Sequence, residues 1–212
     1  MANMQADQTL HRYEFRTFGQ HFEKQIEKMK LLSKTVPDKF KERLSKEIYL
    51  ISSLNSTSNI KIRDQKLDIK TLINQQEGLE QWEPAAKESF PLPDKFLAET
   101  LFPAFEVAIP DFDQGSYDLS SLLKIVQIHP DLMVVKVHKR RFGFMVNQTI
   151  CEYAHVLING AKVVTISTES ADANAVLKTI KDIGLHGLEN INYLQAIKRV
   201  TGLIDQPLMN LD

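Results

Sequence analysis

Between Asn59 and Lys70 the chain reads Asn-Ile-Lys-Ile-Arg-Asp-Gln-Lys-Leu-Asp-Ile-Lys, with apolar and charged side chains alternating along two arms. Ile60 and Ile62 share one face, Lys61 and Arg63 the other. After a turn at Asp64–Lys66, Leu67 and Ile69 oppose Asp68 and Lys70. A period of two belongs to a strand with two unlike faces, so the segment predicts a hairpin with one apolar and one charged side. Residues 11–16 repeat the pattern, with Arg12, Glu14 and Arg16 opposite His11, Tyr13 and Phe15. Further strands are expected at Glu47–Leu54, Leu132–His138, Phe142–Val146, Ile150–Ile158 and Lys162–Ser167, with Asn159-Gly160 as a tight turn.

Helical spacing replaces this alternation elsewhere. Phe22, Ile26, Met29 and Leu32 predict a helix from about Gly19 to Ser33, and Pro37-Asp38 opens a second through about Leu44. A short helix is expected over Asp94–Thr100, while Ser120–Ile128 fits helix or strand. Ser170-Ala-Asp-Ala opens an amphipathic helix carrying Val176, Leu177, Ile180 and Ile183. Gly184 and Gly187 separate it from a last helix at about Ile191–Thr201. Residues 74–93 read as an irregular connection around Trp82-Glu-Pro and Phe90-Pro-Leu-Pro. The sum is an α+β chain: an antiparallel β-barrel of about eight strands with peripheral helices. It is expected to comprise an N-terminal tail (1–10), a single domain (11–203) and a C-terminal tail (204–212).

Composition narrows the class. The 212 residues are 43% hydrophobic and 25% charged, with a formal net charge of −1, so no global field draws the chain to nucleic acid or anionic lipid. Cys151 is the single cysteine, which excludes an intrachain disulfide framework and a multi-cysteine metal site. The first residues lack signal-peptide character and the apolar runs are too short for a membrane span. A soluble, cytoplasmic protein without membrane partners is the expectation.

A barrel gives the charged faces a purpose, because alternate side chains of a closed sheet point into its lumen. With the apolar faces outward under helices, Arg12, Glu14, Arg16, Lys61, Arg63, Asp68 and Lys70 point inward. Lys136, His138 and Arg140 share a parity on a later strand. Converging arginines and lysines suit a polyphosphate. Glu14, Glu152 and Glu169, with Asp68 as a fourth carboxylate, offer the oxygen ligands that Mg²⁺ or Mn²⁺ prefers, and such a metal could polarise a phosphoryl oxygen or activate water. The same alternation also describes the wet face of an ordinary antiparallel sheet. No Walker loop, dinucleotide fingerprint or His-Glu metal helix occurs.

Several segments together resemble the CYTH domain family of triphosphate tunnel metalloenzymes. They are Tyr13-Glu-Phe-Arg16, Glu47-Ile-Tyr-Leu-Ile-Ser52, Lys61-Ile-Arg63, Asp68-Ile-Lys70, Val137-His-Lys-Arg140, Cys151-Glu152 and Val164-Thr-Ile-Ser-Thr-Glu169. The resemblance implies an eight-stranded antiparallel tunnel, cationic residues gripping a triphosphate, and acidic residues holding Mg²⁺ or Mn²⁺. Family activities include hydrolysis of triphosphates and cyclisation of ATP. Carried over by position, Glu14, Glu152 and Glu169 are the metal ligands and Arg16, Lys61, Arg63 and Lys70 bind substrate, with Lys139 or Arg140 at the later basic pair; Lys136 joins Arg140 among the substrate-binding residues by the parity of its strand. Arg12 stands where the family has the first glutamate of Glu-x-Glu-x-Lys, and Ser167 where a companion glutamate often lies.

Two functions follow as expectations. One is a metal-dependent hydrolase acting on a triphosphate or related phosphate ester. The other is a catalytically impaired module that binds a phosphorylated metabolite, nucleotide or nucleic-acid end. A scaffold whose charges pair with one another is a third reading. Nucleotidyl cyclisation is less favoured, because nothing in the chain specifies adenine.

Overall fold

The computed structural model describes residues 11–208. The expected N-terminal tail lies outside the described residues, as do the last four residues of the C-terminal tail. In chain order, β1 (Tyr13–Gly19) leads through α1 (Glu23–Leu32) and a single turn, α2 (Asp38–Lys41), into β2 (Glu42–Ser52). Then come β3 (Ser58–Arg63), β4 (Lys66–Gln76) and β5 (Leu79–Ser89). A helical excursion follows: β6 (Leu92–Pro93), α3 (Asp94–Phe96), a π-helical turn (Leu97–Leu101), α4 (Phe102–Phe105), β7 (Ser116–Tyr117) and α5 (Leu119–Ile128). The chain ends with β8 (Leu132–Val146), β9 (Thr149–Ile158), β10 (Ala161–Ser170), α6 (Ala173–Ile183) and α7 (Tyr193–Val200).

Eight strands close into one antiparallel barrel in the order β1-β10-β9-β8-β2-β3-β4-β5, and β6 pairs with β7 outside it. The tunnel that the CYTH resemblance implies is therefore the fold of this chain. The Asn59–Lys70 hairpin forms as expected, with Lys61 opposite Asp68 and Asn59 opposite Lys70. Its turn is two residues, Asp64 and Gln65, both at positive φ (50° and 57°), as a hairpin turn matched to strand twist requires.

Two elements differ from expectation, and one left open is resolved. The segment from Glu42 to Leu44 is strand rather than helix, because it pairs with Phe142, Arg141 and Arg140 of β8. Residues 79–89 form β5, not a connection. Ser120–Ile128 resolves as helix, started by the Asp118 carboxylate accepting from Ser121 N at 2.7 Å.

Outward apolar residues meet the helices in two layers. Ile60, Ile62, Leu67 and Ile69 pack against Leu97, Leu101, Phe102, Phe105, Leu122 and Val126. On the other flank Phe15, Cys151 and Ile166 pack with Met29, Val176, Ile180 and Ile183. A third cluster lies inside the barrel, where Phe18, Tyr49, Ile51, Val135, Val137 and Val156 meet Tyr193, Leu194 and Ile197 of α7. That helix plugs one end of the barrel. Among the described residues no helix is long and apolar enough to cross a membrane.

Candidate functional site

Strand parity decides which charges share the lumen. Glu14 stands opposite Glu169, and Arg16 opposite Ser167, which in turn faces Glu152. Across the barrel Arg43 faces Arg141 and Ser45 faces Lys139, while Lys61 faces Asp68 and Asn59 faces Lys70. The tunnel thus has an acidic wall on β1, β10 and β9 and a basic wall on β8, β2, β3 and β4. Glu14, Glu152, Glu169, Arg16, Lys61, Arg63 and Lys70 all take lumen-facing positions.

Lys136 and Arg140 do not, and the assignment is corrected. Both are exposed on the outer face, where Arg140 Nε donates to Glu42 at 2.8 Å. Lys139 and Arg141 take the inward positions instead. The cause is the floor of the tunnel: Val135 and Val137 are fully buried against α7, and the two-residue period of the uninterrupted β8 ladder carries that parity to Lys139 and Arg141.

On the acidic wall each glutamate is held by an arginine. Arg16 Nε donates to Glu14 Oε1 at 2.9 Å, and its Nη1 lies 3.9 Å from Glu152 Oε1. Arg43 Nη2 donates to Glu152 Oε2 at 2.8 Å, and Arg12 Nη1 to Glu169 Oε1 at 2.6 Å. Burial works against the Arg16 charge, but Glu14, Tyr193 and Glu152 outweigh it and hold the pKa above the ordinary arginine value. A divalent cation needs several oxygens turned to one point. Among the described residues no three His, Cys, Asp or Glu side chains gather that way. Arginines are lodged between the carboxylates of Glu14, Glu152 and Glu169.

The deepest charges sit on the plug. Lys139 Nζ lies 2.8 Å from Glu47 Oε2, donates to Tyr49 Oη at 2.8 Å, and rests 3.6 Å from the centre of the Tyr193 ring. Arg63 Nη1 donates to Glu47 Oε1 at 3.4 Å. Burial pushes the Lys139 pKa down to about 7, with Lys61 and Arg16 adding to the effect against the pull of Glu47. Burial alone would raise Glu47; Lys139, Lys61 and Arg63 more than offset it and hold the carboxyl at about 2. Burial likewise lowers Lys61, whose Nζ is 3.5 Å from Asp68 Oδ2.

The plug is fixed by its own entry. Asn192 caps α7 by accepting from Gln195 N at 2.9 Å, while its Nδ2 donates to both oxygens of the buried Glu80 at 3.0 and 3.2 Å. Ile191 N donates to Arg16 O at 2.6 Å. Tyr193 thereby stacks on Tyr49 (centroids 5.8 Å) and meets the edge of Phe18 (5.2 Å).

Arg43, Glu47, Arg141 and Tyr193 were not expected in the site. Glu47 opens the alternating run Glu-Ile-Tyr-Leu-Ile, so its shared face with Tyr49 is legible in the sequence. The reach of Arg43 to Glu152, across β8, has no local sequence signal. Gly143 helps to permit it. This residue pairs with Glu152, and a Cβ there would lie 2.4 Å from Phe40 O of α2.

No family model matches the chain, and no curated protein matches it. Solved structures do resemble it. One is a protein of Pyrococcus horikoshii, at 14% identity over 88% of this chain and 99% of that one, with a TM-score of 0.49. Another is a candidate adenylate cyclase of Bacillus halodurans, at 15% over 86% and 95%, TM-score 0.47. A third is a Hippeastrum protein described as having a dominant triphosphatase activity, at 12% over 93% and 98%, TM-score 0.46.

Proposed function

We propose that the tunnel binds the phosphate groups of a triphosphate or related phosphorylated small molecule, and that it does so through its cations without a divalent metal. The observation that carries this reading is a pair of orphan donors. Arg43 Nε and Arg141 Nε are buried and have no acceptor among the described residues, and the two arginines stand directly opposite each other on β2 and β8. Like charges set opposite one another weaken a sheet, and a buried donor left unpaired costs roughly 1–3 kcal/mol. A phosphate oxygen between them relieves both penalties, since guanidinium forks match phosphate geometry. Lys61, Arg63 and Lys70 extend the same wall; among the described residues, Lys70 has no carboxylate within 4.0 Å, while Lys61 pairs with Asp68 and Arg63 with Glu47.

The arginine-held glutamates give the other half of the reading. With Glu14, Glu152 and Glu169 each neutralised by a guanidinium, the tunnel offers phosphates a site of fixed cations and offers water no activating group of comparable strength. The chain's residues bind and orient the ligand; the α7 plug makes the tunnel a one-ended pocket into which the phosphate end enters first.

The test is calorimetric titration of inorganic triphosphate into wild type and Arg141→Met, beside a phosphate-release assay with Mg²⁺ and Mn²⁺. Loss of charge-assisted hydrogen bonds worth about 2 kcal/mol predicts roughly thirtyfold weaker binding by the variant, with no release from either protein. Absent binding at millimolar ligand, or metal-dependent release abolished by Glu152→Gln, overturns the proposal.

A further inference from the structure

A concave surface of about 1380 Å³ runs over β2, β8, β9 and β10, lined by outer-face side chains and also by Arg43, Arg63, Lys139 and Arg141 of the tunnel strands. Its floor is two cross-strand rows in register. One runs Lys162, Leu157, His138, Lys46; the other runs Val164, His155, Arg140, Leu44. All but Val164 are exposed. The rows place Lys46 opposite His138 and His155 opposite Arg140. Lys46 and Arg140 therefore each face an imidazole on the adjacent strand. Among the described residues, Glu42 is the single carboxylate within 4.0 Å of these five side chains, at Arg140. Lys136 continues the basic strip on the neighbouring surface toward Leu119.

Beside the strip stands an aromatic ledge. Phe142 stacks on Tyr153 (centroids 5.9 Å), and His155 meets the edges of both at 6.2 and 5.0 Å. Tyr153 Oη lies 3.0 Å from His155 Nε2, and Arg140 lies over the Phe142 ring at 5.2 Å. Planar imidazole and guanidinium groups are thus held in place along a lysine-flanked channel with an aliphatic floor.

The geometry points to this groove as a binding surface for single-stranded nucleic acid. Strands are spaced about 4.8 Å apart, so Lys162 and Lys46 bracket about 14 Å of channel. Backbone phosphates meet the lysines and Arg140, while bases lie on His138, His155 and the leucines, the combination of cationic track and stacking platform that sequence-tolerant binders use. An acidic peptide would satisfy the lysines but would leave the planar groups without a stacking partner. Lys46, His138, Arg140 and His155 stand at the parity opposite to Ser45, Lys139, Arg141 and Ala154, so their role is distinct from that of the tunnel cations.

The probe is a fluorescein-labelled 20-nucleotide oligouridylate, followed by anisotropy at 50 to 200 mM KCl. Excess inorganic triphosphate is included in one arm, and a 20-residue oligoglutamate competes in another. The expected result is micromolar binding at low salt, undiminished by triphosphate and not displaced by equimolar oligoglutamate. Lys46→Glu/Lys162→Glu should weaken it at least tenfold. Lys46→Gln/Lys162→Gln, which removes two phosphate contacts without reversing charge, should flatten the salt slope by about 1.4. His155→Ala should weaken binding several-fold with the slope unchanged. No binding at 50 mM, displacement by triphosphate, equal competition by oligoglutamate, or an unaltered slope overturns the assignment. Triphosphate failing to bind wild type in calorimetry would count against the tunnel proposal alone.

Discussion

Replacing Glu47 by Gln should cost the protein about 3 kcal/mol at pH 7. The side chain is 1% exposed and faces Lys139 at 5%, so solvent screens the pair little. Glutamine has the shape and charge of the protonated carboxyl. A carboxyl held at about 2 against an ordinary 4.5 is favoured in its ionised form by about 3 kcal/mol in the folded state, and that preference is what the substitution removes. For a chain of this length the loss lowers the thermal midpoint by roughly 6–12 °C. The pH dependence gives a second check. The unfolded carboxyl takes up its proton first as pH falls, so the wild-type contribution is present above about 4.5 and lost on the way to about 2. The gap between wild type and Glu47→Gln should therefore close as pH drops from 5 toward 2. Urea unfolding followed by circular dichroism measures both quantities. The variant should also be partly rescued by Lys139→Met, which removes the uncompensated ammonium. A variant within 0.5 kcal/mol of wild type, or a gap that does not change with pH, would refute the reasoning.

Three further outcomes follow from the same geometry. Lys139 has a folded pKa of about 7 against 10.5 for an ordinary lysine, so the folded state sheds this proton first and stability should rise between pH 7 and 10; Lys139→Met should flatten that rise in denaturant titrations. Asn192→Ala removes a helix cap and two hydrogen bonds to buried Glu80, and should lower stability by about 2 kcal/mol in urea. Gly143→Ala drives a methyl into Phe40 O and should cost about 1–3 kcal/mol, with triphosphate affinity falling too as Arg43 shifts with α2.

Much of the barrel is legible because its faces are unlike. Ile60/Ile62 against Lys61/Arg63 fixes both the strand and its orientation, since a slip of one residue would bury the cations under helices. β5 is hidden for the opposite reason: Leu79–Ser89 carries polar residues on both faces and Pro84 within it, so no period marks it. On β8 the run Val134-Val-Lys-Val-His-Lys-Arg-Arg141 places cations at both parities. Only the closure of the lumen floor by α7 reveals that Val135 and Val137 face inward, which moves the tunnel cations to Lys139 and Arg141. The arginine clamps are invisible in sequence because Arg43 and Glu152 are 109 residues apart and on strands separated by a third. The substitution of arginine at position 12 is the one legible hint, and its partner Glu169 lies on the neighbouring strand.

In the proposed reading, cations bind phosphate in a tunnel whose carboxylates already have partners. Calorimetry of inorganic triphosphate into the wild-type protein, run once with excess EDTA and once with saturating Mg²⁺, tests this most directly. The predicted result is binding at least as tight in EDTA as in Mg²⁺, because in the proposed reading the metal only competes for the ligand and takes no seat among Glu14, Glu152 and Glu169. Binding that appears only with Mg²⁺ would contradict it.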